Sequence, residues 1–384
     1  MKTVDYDIHG LVGIRLVQPT ESDAAAVDRQ LGPMRGPLDR EPDILIRFEP
    51  RLPLPDLRYL GLFAGFNQEG YYILRSSKAE ARVRIPFDRI GSERCEIVCQ
   101  SGLRSVPLLI AILNLTLLKK GCIPLHASAF VYNETGVLVT GWSKGGKTEA
   151  MLAFTHHGAR YVGDEWVILA GDGTRMYGLP EPVTVWDWHM NYLPEVRKKV
   201  GRHKARIIQA VKGLTAIHSR IEKSFLKNSF PARTLSEALP ALQRQMHVNF
   251  PPQRLFGEPL PALHAAIDRV FFIMSHASER ITVEPYDPNA VIERMISSIE
   301  YEQIPIKEHY LAYRFAFPER RNDFIERAPE LQAERLRQAL RGKPAYLVRH
   351  PYPVSLPALF DKMRPLCEAE RDGKLEPDRT HVAV

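Results

Sequence analysis

Gly141-Trp142-Ser143-Lys144-Gly145-Gly146-Lys147-Thr148 fills the pattern G-x-x-x-x-G-K-[ST] without a mismatch. Its glycines let successive backbone N–H groups turn toward one anion. Lys147 is spaced to reach β- and γ-phosphates, and the Thr148 hydroxyl to join the shell of a Mg²⁺ ion. The short β-branched run Val137-Leu138-Val139-Thr140 precedes the loop. The pattern after it predicts a helix from Thr148 to His156, with Gly158 as its C-terminal cap. That helix adds the positive end of its dipole at the phosphates. Strand, loop and helix in this order predict a nucleoside triphosphate site. Gly141, Ser143, Lys144, Gly145, Gly146, Lys147, Thr148 and Glu149 are its candidate binding residues. Glu149 also reads as a first-turn acid that complements the helix dipole.

Upstream, Pro124–Tyr132 predicts a strand, and Asn133-Glu134-Thr135-Gly136 a turn into the loop strand. Downstream, Arg160-Tyr161-Val162 runs into Gly163-Asp164-Glu165, and a hairpin turning at Gly171-Asp172-Gly173 follows. A tight hairpin is antiparallel, so the sheet is mixed. Phosphoryl transfer needs charge neutralisation, a metal and a group that orients or deprotonates the acceptor. Lys147 and Thr148 meet the first two needs, and Asp164 is the candidate for the third. One helix and one strand bring Asp164 back to the edge of the sheet that carries the loop. There it binds Mg²⁺ through water, acts as a general base, or does both; the alternative is a plain turn acid. On an extended backbone Glu165 faces away from it. His126 lies on the strand beside the loop strand, where a structural and a functional role are equally open.

The segment Pro124–Ile168 resembles the catalytic core of the HPr serine kinase/phosphorylase family. The resemblance rests on His126-Ala127, on G-x-S-x-x-G-K-T-E from Gly141 to Glu149, and on Arg160-x-Val162 followed by the acidic pair Asp164-Glu165. It covers about 45 residues strongly and implies a mixed-sheet core like that of phosphoenolpyruvate carboxykinase. It also implies Mg-ATP-dependent phosphorylation of a hydroxyl, with Asp164 as general base and His126 and Lys147 as catalytic partners. Thr148, Asp164 and Glu165 are then the metal residues. ATP rather than GTP follows from the resemblance alone, which also admits a homo-oligomer. The chain departs from the family at Trp142, Lys144 and Glu165. The family's E-[IV]-R-G-x-G segment is echoed only by Glu195-Val196-Arg197, with Glu181 a second loose candidate for its carboxylate. These departures point away from HPr and toward another protein, peptide or small-molecule acceptor. A nucleotide-gated ATPase or assembly protein with no phosphorylated acceptor is the rival reading.

The rest of the chain sets the frame. With 45% apolar and 25% charged residues among 384, it has the composition of a globular protein with a sizeable core. A net charge of +7 suits an anionic ligand. Cys95, Cys99, Cys122 and Cys367 show no zinc-ligand pairing, and Met1–Gly10 lacks the apolar core of a signal peptide. Val106–Leu118, the longest apolar run, is too short to span a bilayer and predicts a buried helix opened by Pro107. A cytoplasmic protein without a membrane span is expected.

Residues 1–100 read as a β-rich region of unknown role, 101–290 as the nucleotide-binding core, and 291–384 as a helical region packing on it. The overall expectation is an α/β fold with a mixed β-sheet. Within the core, residues 197–227 hold ten Lys or Arg against one acid, Glu222, with Ile207, Ile208, Val211 and Leu214 at helical spacing. A solvated basic face, a dock for an acidic partner and added charge for the triphosphate all fit. Nucleic acid is the least favoured reading, since no aromatic interleaving accompanies the charge. The proline-dense residues 231–263 predict an extended connection. Val270–Met274 and Ala345–Val348 predict strands, Asn289–Glu300 and Asn322–Arg341 helices, and the tail from about 371 a frayed end.

Overall fold

The computed structural model describes residues 2–76, 79–222 and 230–368. The last part of the basic stretch and the tail from 371 lie outside them. The chain is α/β with mixed sheets.

In the N-terminal part, β1 (Thr3–Ile8), β2 (Val12–Val17), β3 (Ile44–Glu49), β4 (Arg58–Leu60), β5 (Ala64–Asn67), β6 (Gly70–Ser76), β7 (Ala79–Ile85) and β8 (Cys95–Gln100) form one sheet, ordered β1-β2-β3-β8-β7-β6-β5-β4. Only β2–β3 and β3–β8 pair in parallel. Helix α1 (Glu21–Leu31) interrupts the β-rich region, and Thr20 and Asp23 close a capping box at its start. The predicted buried helix is α2 (Leu109–Lys119). It starts two residues beyond Pro107 because Leu108 takes a left-handed conformation, φ 59°.

The second sheet carries the glycine-rich loop. It contains β9 (Ile123–Tyr132), β10 (Thr135–Thr140), β11 (Arg160–Gly163), β12 (Trp166–Leu169) and β13 (Arg175–Gly178). β14 (Val183–Trp186) pairs separately with β15 (His247–Phe250). Strands β16 (His264–Ala266), β17 (Arg269–Ser275), β18 (Thr282–Pro285) and β19 (Ala345–His350) complete the second sheet. Its order is β16-β13-β12-β9-β10-β17-β19-β18, with β11 also on β9. β10, β17 and β19 run parallel. The β12–β13 hairpin is antiparallel, as its turn requires.

Alternation along the central strands explains their continuous apolar runs. Val137, Val139, Phe271 and Ile273 point to one face, where α3 (Lys147–His156) packs with the C-terminal helix. Leu138, Val270 and Phe272 point to the other. A strand covered on both sides has no polar face to display.

The helices after the loop are α4 (Pro194–Lys198), α5 (Arg202–Glu222), α6 (Phe230–Gln243), α7 (Pro252–Phe256), α8 (Pro288–Glu302), α9 (Ile304–Ala316), α10 (Asp323–Leu340) and α11 (Leu356–Glu368). Helices α8 and α10 cover one face of the second sheet, and α11 lies beside α3 on the other. The expected extended connection from 231 is in part wrong, since α6 occupies its beginning. Pro231 falls in the first turn, where the missing N–H costs nothing, and only Pro240 lies inside. In α5, Ile208 and Val211 are buried while Leu214 is exposed, so the apolar stripe is shorter than its spacing suggests. Among the described residues no helix is long and apolar enough to cross a membrane.

Candidate functional site

β10 delivers the chain to the glycine-rich loop, and α3 leaves it at Lys147. Lys144 takes a left-handed conformation, φ 61°, and Gly146 sits at φ 109° as the cap residue of α3. Gly146 is also packed too tightly for a side chain, because a Cβ there would lie 2.3 Å from Nε2 of His350. His350, fully buried at the end of β19, places Nε2 2.8 Å from the Gly145 carbonyl. The loop therefore rests on a side chain from far along the sequence. The first N–H groups of α3 have no partner within the helix, and no side chain caps them.

Lys147 is buried and donates to the carbonyls of Trp142 (2.9 Å) and Gly141 (3.3 Å). Desolvation lowers its pKa, against the pull of Glu165, Asp164, Glu302 and Glu149. Thr148 Oγ1 donates to Asp164, 3.0 and 3.2 Å from the two carboxylate oxygens. Ser128, on β9, donates a short hydrogen bond to the same carboxylate. Burial and the neighbouring Glu165 push Asp164 well above the usual carboxylate range, and the Ser128 and Thr148 hydroxyls pull the other way.

Glu165 is where the extended-backbone expectation fails. Its φ is +66°, so the chain kinks between β11 and β12 and turns both acids into one cleft. The kink is visible in the pairing: Gly163 lies opposite Ala129 and Trp166 opposite His126, with a Trp166 N–H to Asp164 carbonyl bond of 2.9 Å closing the turn. Glu165 then reaches His126 Nε2 at 3.1 Å, and Glu302 reaches His126 Nδ1 at 2.7 Å. Burial works against the charged imidazole, but the bonds to Glu165 and Glu302 outweigh it and raise the His126 pKa. The His126 bond in turn lowers Glu165.

Glu149 is buried beneath the cleft and 3.1 Å from His189 Nε2. The Trp186 N–H donates to Nδ1 of His189 (3.2 Å), so the ring proton lies on Nε2 and points to Glu149. His189 is thus a floor residue rather than an accessible base. The cleft, about 210 Å³, is lined by His126, Lys147, Thr148, Asp164, Glu165 and Tyr352 among others. It runs on, through Trp186 and Tyr352, into an aromatic groove of about 580 Å³ that includes Trp188 and Met246. Lys212 of α5 holds buried Asp187 at 2.6 Å in that groove, so part of the basic stretch borders the site.

All the residues singled out for phosphate, base and metal roles except Gly141 line this one cleft; Gly141 accepts from Lys147 instead. Thr148, Asp164 and Glu165 offer hard oxygen donors on one wall, the donor type that suits Mg²⁺. Among the described residues no group of three or more His, Cys, Asp or Glu is placed to hold a metal alone. Mg²⁺ is ordinarily completed by phosphates and water, so this donor set fits it only together with a bound triphosphate.

Glu195 is not brought in. It lies exposed on α4, paired with Lys198. Glu181 is brought near, half-buried within reach of the charges of Glu165 and Asp164. Sequence reasoning missed Ser128, Glu302, His189, His350 and Tyr352. Only Ser128 carried a usable signal, since it lies two residues after His126 on the same strand. Trp142, which departs from the family pattern, lies tilted against Tyr301 at the end of α8, ring centroids 4.9 Å apart and planes 36° to one another. No protein-family model matches the chain, and comparison with curated proteins finds no significant match.

Proposed function

We propose that this chain is a Mg-ATP-dependent phosphotransferase of the HPr-kinase-like type that phosphorylates a hydroxyl-bearing acceptor. One arrangement carries the reading: a buried carboxylate, Asp164, held by the Thr148 and Ser128 hydroxyls within the cleft that Lys147 and the glycine-rich loop enclose. The triphosphate lies along the loop, with its anionic oxygens against the α3 N-terminus and Lys147. The nucleoside extends into the aromatic groove beside Trp186 and Tyr352. Thr148, Asp164 and Glu165 are the residues that would hold Mg²⁺, which would supply charge neutralisation for the triphosphate. The acceptor oxygen forms its bond to the γ-phosphorus as the bond to the β–γ bridging oxygen breaks. ADP leaves, and the acceptor proton passes to Asp164. A raised pKa suits that task, since a base works best when its pKa lies near the working pH. His126, whose two ring nitrogens are taken by Glu165 and Glu302, assists by holding the Glu165 carboxylate in place at the γ-phosphate.

The test is transfer of labelled γ-phosphate into fractionated cell extract. Wild type is expected to label an acceptor. Lys147→Ala should abolish labelling, and Asp164→Asn should cut it by about 10²–10⁴-fold while leaving nucleotide binding in place. Full activity in Asp164→Asn would remove the general base and with it this reading. A second reading, a nucleotide-gated ATPase without an acceptor, draws on the exposed position of Glu195, which keeps this echo of the family's segment away from the cleft. Label released only as free phosphate would favour it.

A further inference from the structure

The aromatic groove beyond the cleft holds a polar pair that the phosphate chemistry leaves unused. Asp187 directly follows β14, and its backbone is fixed on both sides. Its N–H donates to the Met246 carbonyl at 2.9 Å, and its carbonyl accepts from the Met190 N–H at 3.1 Å. The residue is 7% exposed and lines the groove. Lys212 Nζ lies 2.6 Å from its Oδ2. Among the described residues no donor reaches Oδ1, yet that oxygen is not sealed from solvent. Asp187 therefore turns an open acceptor into the groove. A carboxylate buried this deeply loses the hydrogen bonds of bulk water unless a donor supplies them.

The walls narrow the ligand. Trp186 and Tyr352 line both the cleft and the groove, so a nucleoside leaving the phosphate loop enters between aromatic rings, on which bases stack. The Thr215 and Ser219 hydroxyls are spent on carbonyls of their own helix, Val211 and Ala216, each at 2.9 Å. Lys212 has donors beyond the one on Oδ2, since an ammonium carries three. Asp187 and Lys212 thus set an acceptor beside a donor, as a carboxamide does. Adenine presents the complement on one edge, where N6 donates and N7 accepts. Guanine presents two acceptors on that edge, O6 and N7, which sets O6 against the carboxylate. On its other edge guanine brings two neighbouring donors to a single free oxygen.

We infer that Asp187 is the base-selecting residue of this chain, its Oδ1 accepting from the 6-amino group of adenine while Lys212 donates to the adjoining ring nitrogen. The inference rests on the reading of the glycine-rich loop as a nucleotide site. It adds what the loop cannot supply, because a phosphate cradle does not sense the base. It does not require that the bound nucleotide be used for phosphotransfer.

Calorimetric titration of the full chain with Mg²⁺ tests it. The probes are the non-hydrolysable β,γ-imido triphosphates of adenosine, guanosine and purine riboside, the last lacking the 6-amino group. Wild type is expected to bind the adenosine nucleotide at least about tenfold tighter than either of the others. Asp187→Asn is isosteric, and Lys212 holds its amide oxygen, so an NH₂ faces the base instead of an acceptor. It should weaken the adenosine nucleotide by about tenfold and leave the purine riboside nucleotide within about twofold. Equal binding of these two by wild type overturns the inference and leaves the loop reading standing; so does tighter binding of the guanosine nucleotide. Wild type that binds none of the three overturns both. A folded Asp187→Asn that keeps the adenosine preference also overturns the inference. The preference itself is read on wild type, so a variant that does not fold leaves the test intact.

Discussion

Burial, reinforced by the charge of Glu165, pushes Glu181 up to about 7 from an ordinary 4.5. A carboxyl whose folded pKa is raised favours the protonated form, so folding takes up a proton between those two values. Stability is then highest below about 4.5 with respect to this group, falls as pH rises toward 7, and stays lower above it. Glu181→Gln removes the term. It should leave stability nearly unchanged at pH ~4 and raise it on the order of 2 kcal/mol at pH ~8. Urea unfolding of both proteins at the two pH values checks this; a difference that does not change with pH would sink it. The same physics acts on Asp164, whose carboxylate is more deeply buried and has the Thr148 and Ser128 hydroxyls to hold it. Like charges gathered at one cleft are a cost that a cation or a triphosphate–metal complex would relieve.

At the level of elements, the loop and the strand below it form one unit. Gly146 and Gly158 flank α3, and both have positive φ, 109° and 88°. At Gly158 a Cβ meets nothing within 4 Å, whereas at Gly146 it meets His350. Gly158→Ala should therefore cost only backbone strain, about 1 kcal/mol. Gly146→Ala should cost clearly more and weaken nucleotide binding, and His350→Ala should recover part of that loss. Denaturation of the three variants and the double variant measures the coupling. Equal costs at the two glycines would show that His350 does not support the loop.

The strand–loop–helix unit was legible because its residues are adjacent in sequence and each obeys a local rule. The capping box at Thr20 and Asp23 was equally local and readable, yet the surrounding turn residues and short strands masked α1. Helices α9 and α11 were missed where prolines at their first turns, Pro305 and Pro357, imitate breaks. His350 and Glu302 carry no local mark. They matter only through β19 lying beside β17 and α8 ending at His126, both products of tertiary packing. Glu165 was misdirected for a different reason, a left-handed residue where periodicity assumes an extended one.

Across the whole molecule, the first sheet is not an independent layer. Its core residues, such as Ile14, Phe48 and Val83, pack in one cluster with α2, with Ile306, Tyr310 and Tyr313 of α9, and with Ile325 of α10. Asn322 ties the parts together. It caps α10, accepting from Phe324 and Ile325 N–H at 3.0 and 3.1 Å, and its amide donates to the Phe87 and Ile90 carbonyls. Asn322→Ala loses the cap and strands two buried carbonyls, a loss of about 2–4 kcal/mol. If the sheets unfold together, calorimetry will show one transition moved to lower temperature. Two transitions, with only one displaced, would show separate units.

The contact between Gly145 and His350 spans 205 positions of chain. A ribosome adding about 5–20 residues per second needs on the order of 10–40 seconds to travel from one to the other. During that interval the nascent polypeptide carries every residue of the glycine-rich loop but not the imidazole beneath it. Competence is thereby scheduled by translation: the segment that most resembles a finished site is among the first of its sheet to be synthesised and among the last to be completed.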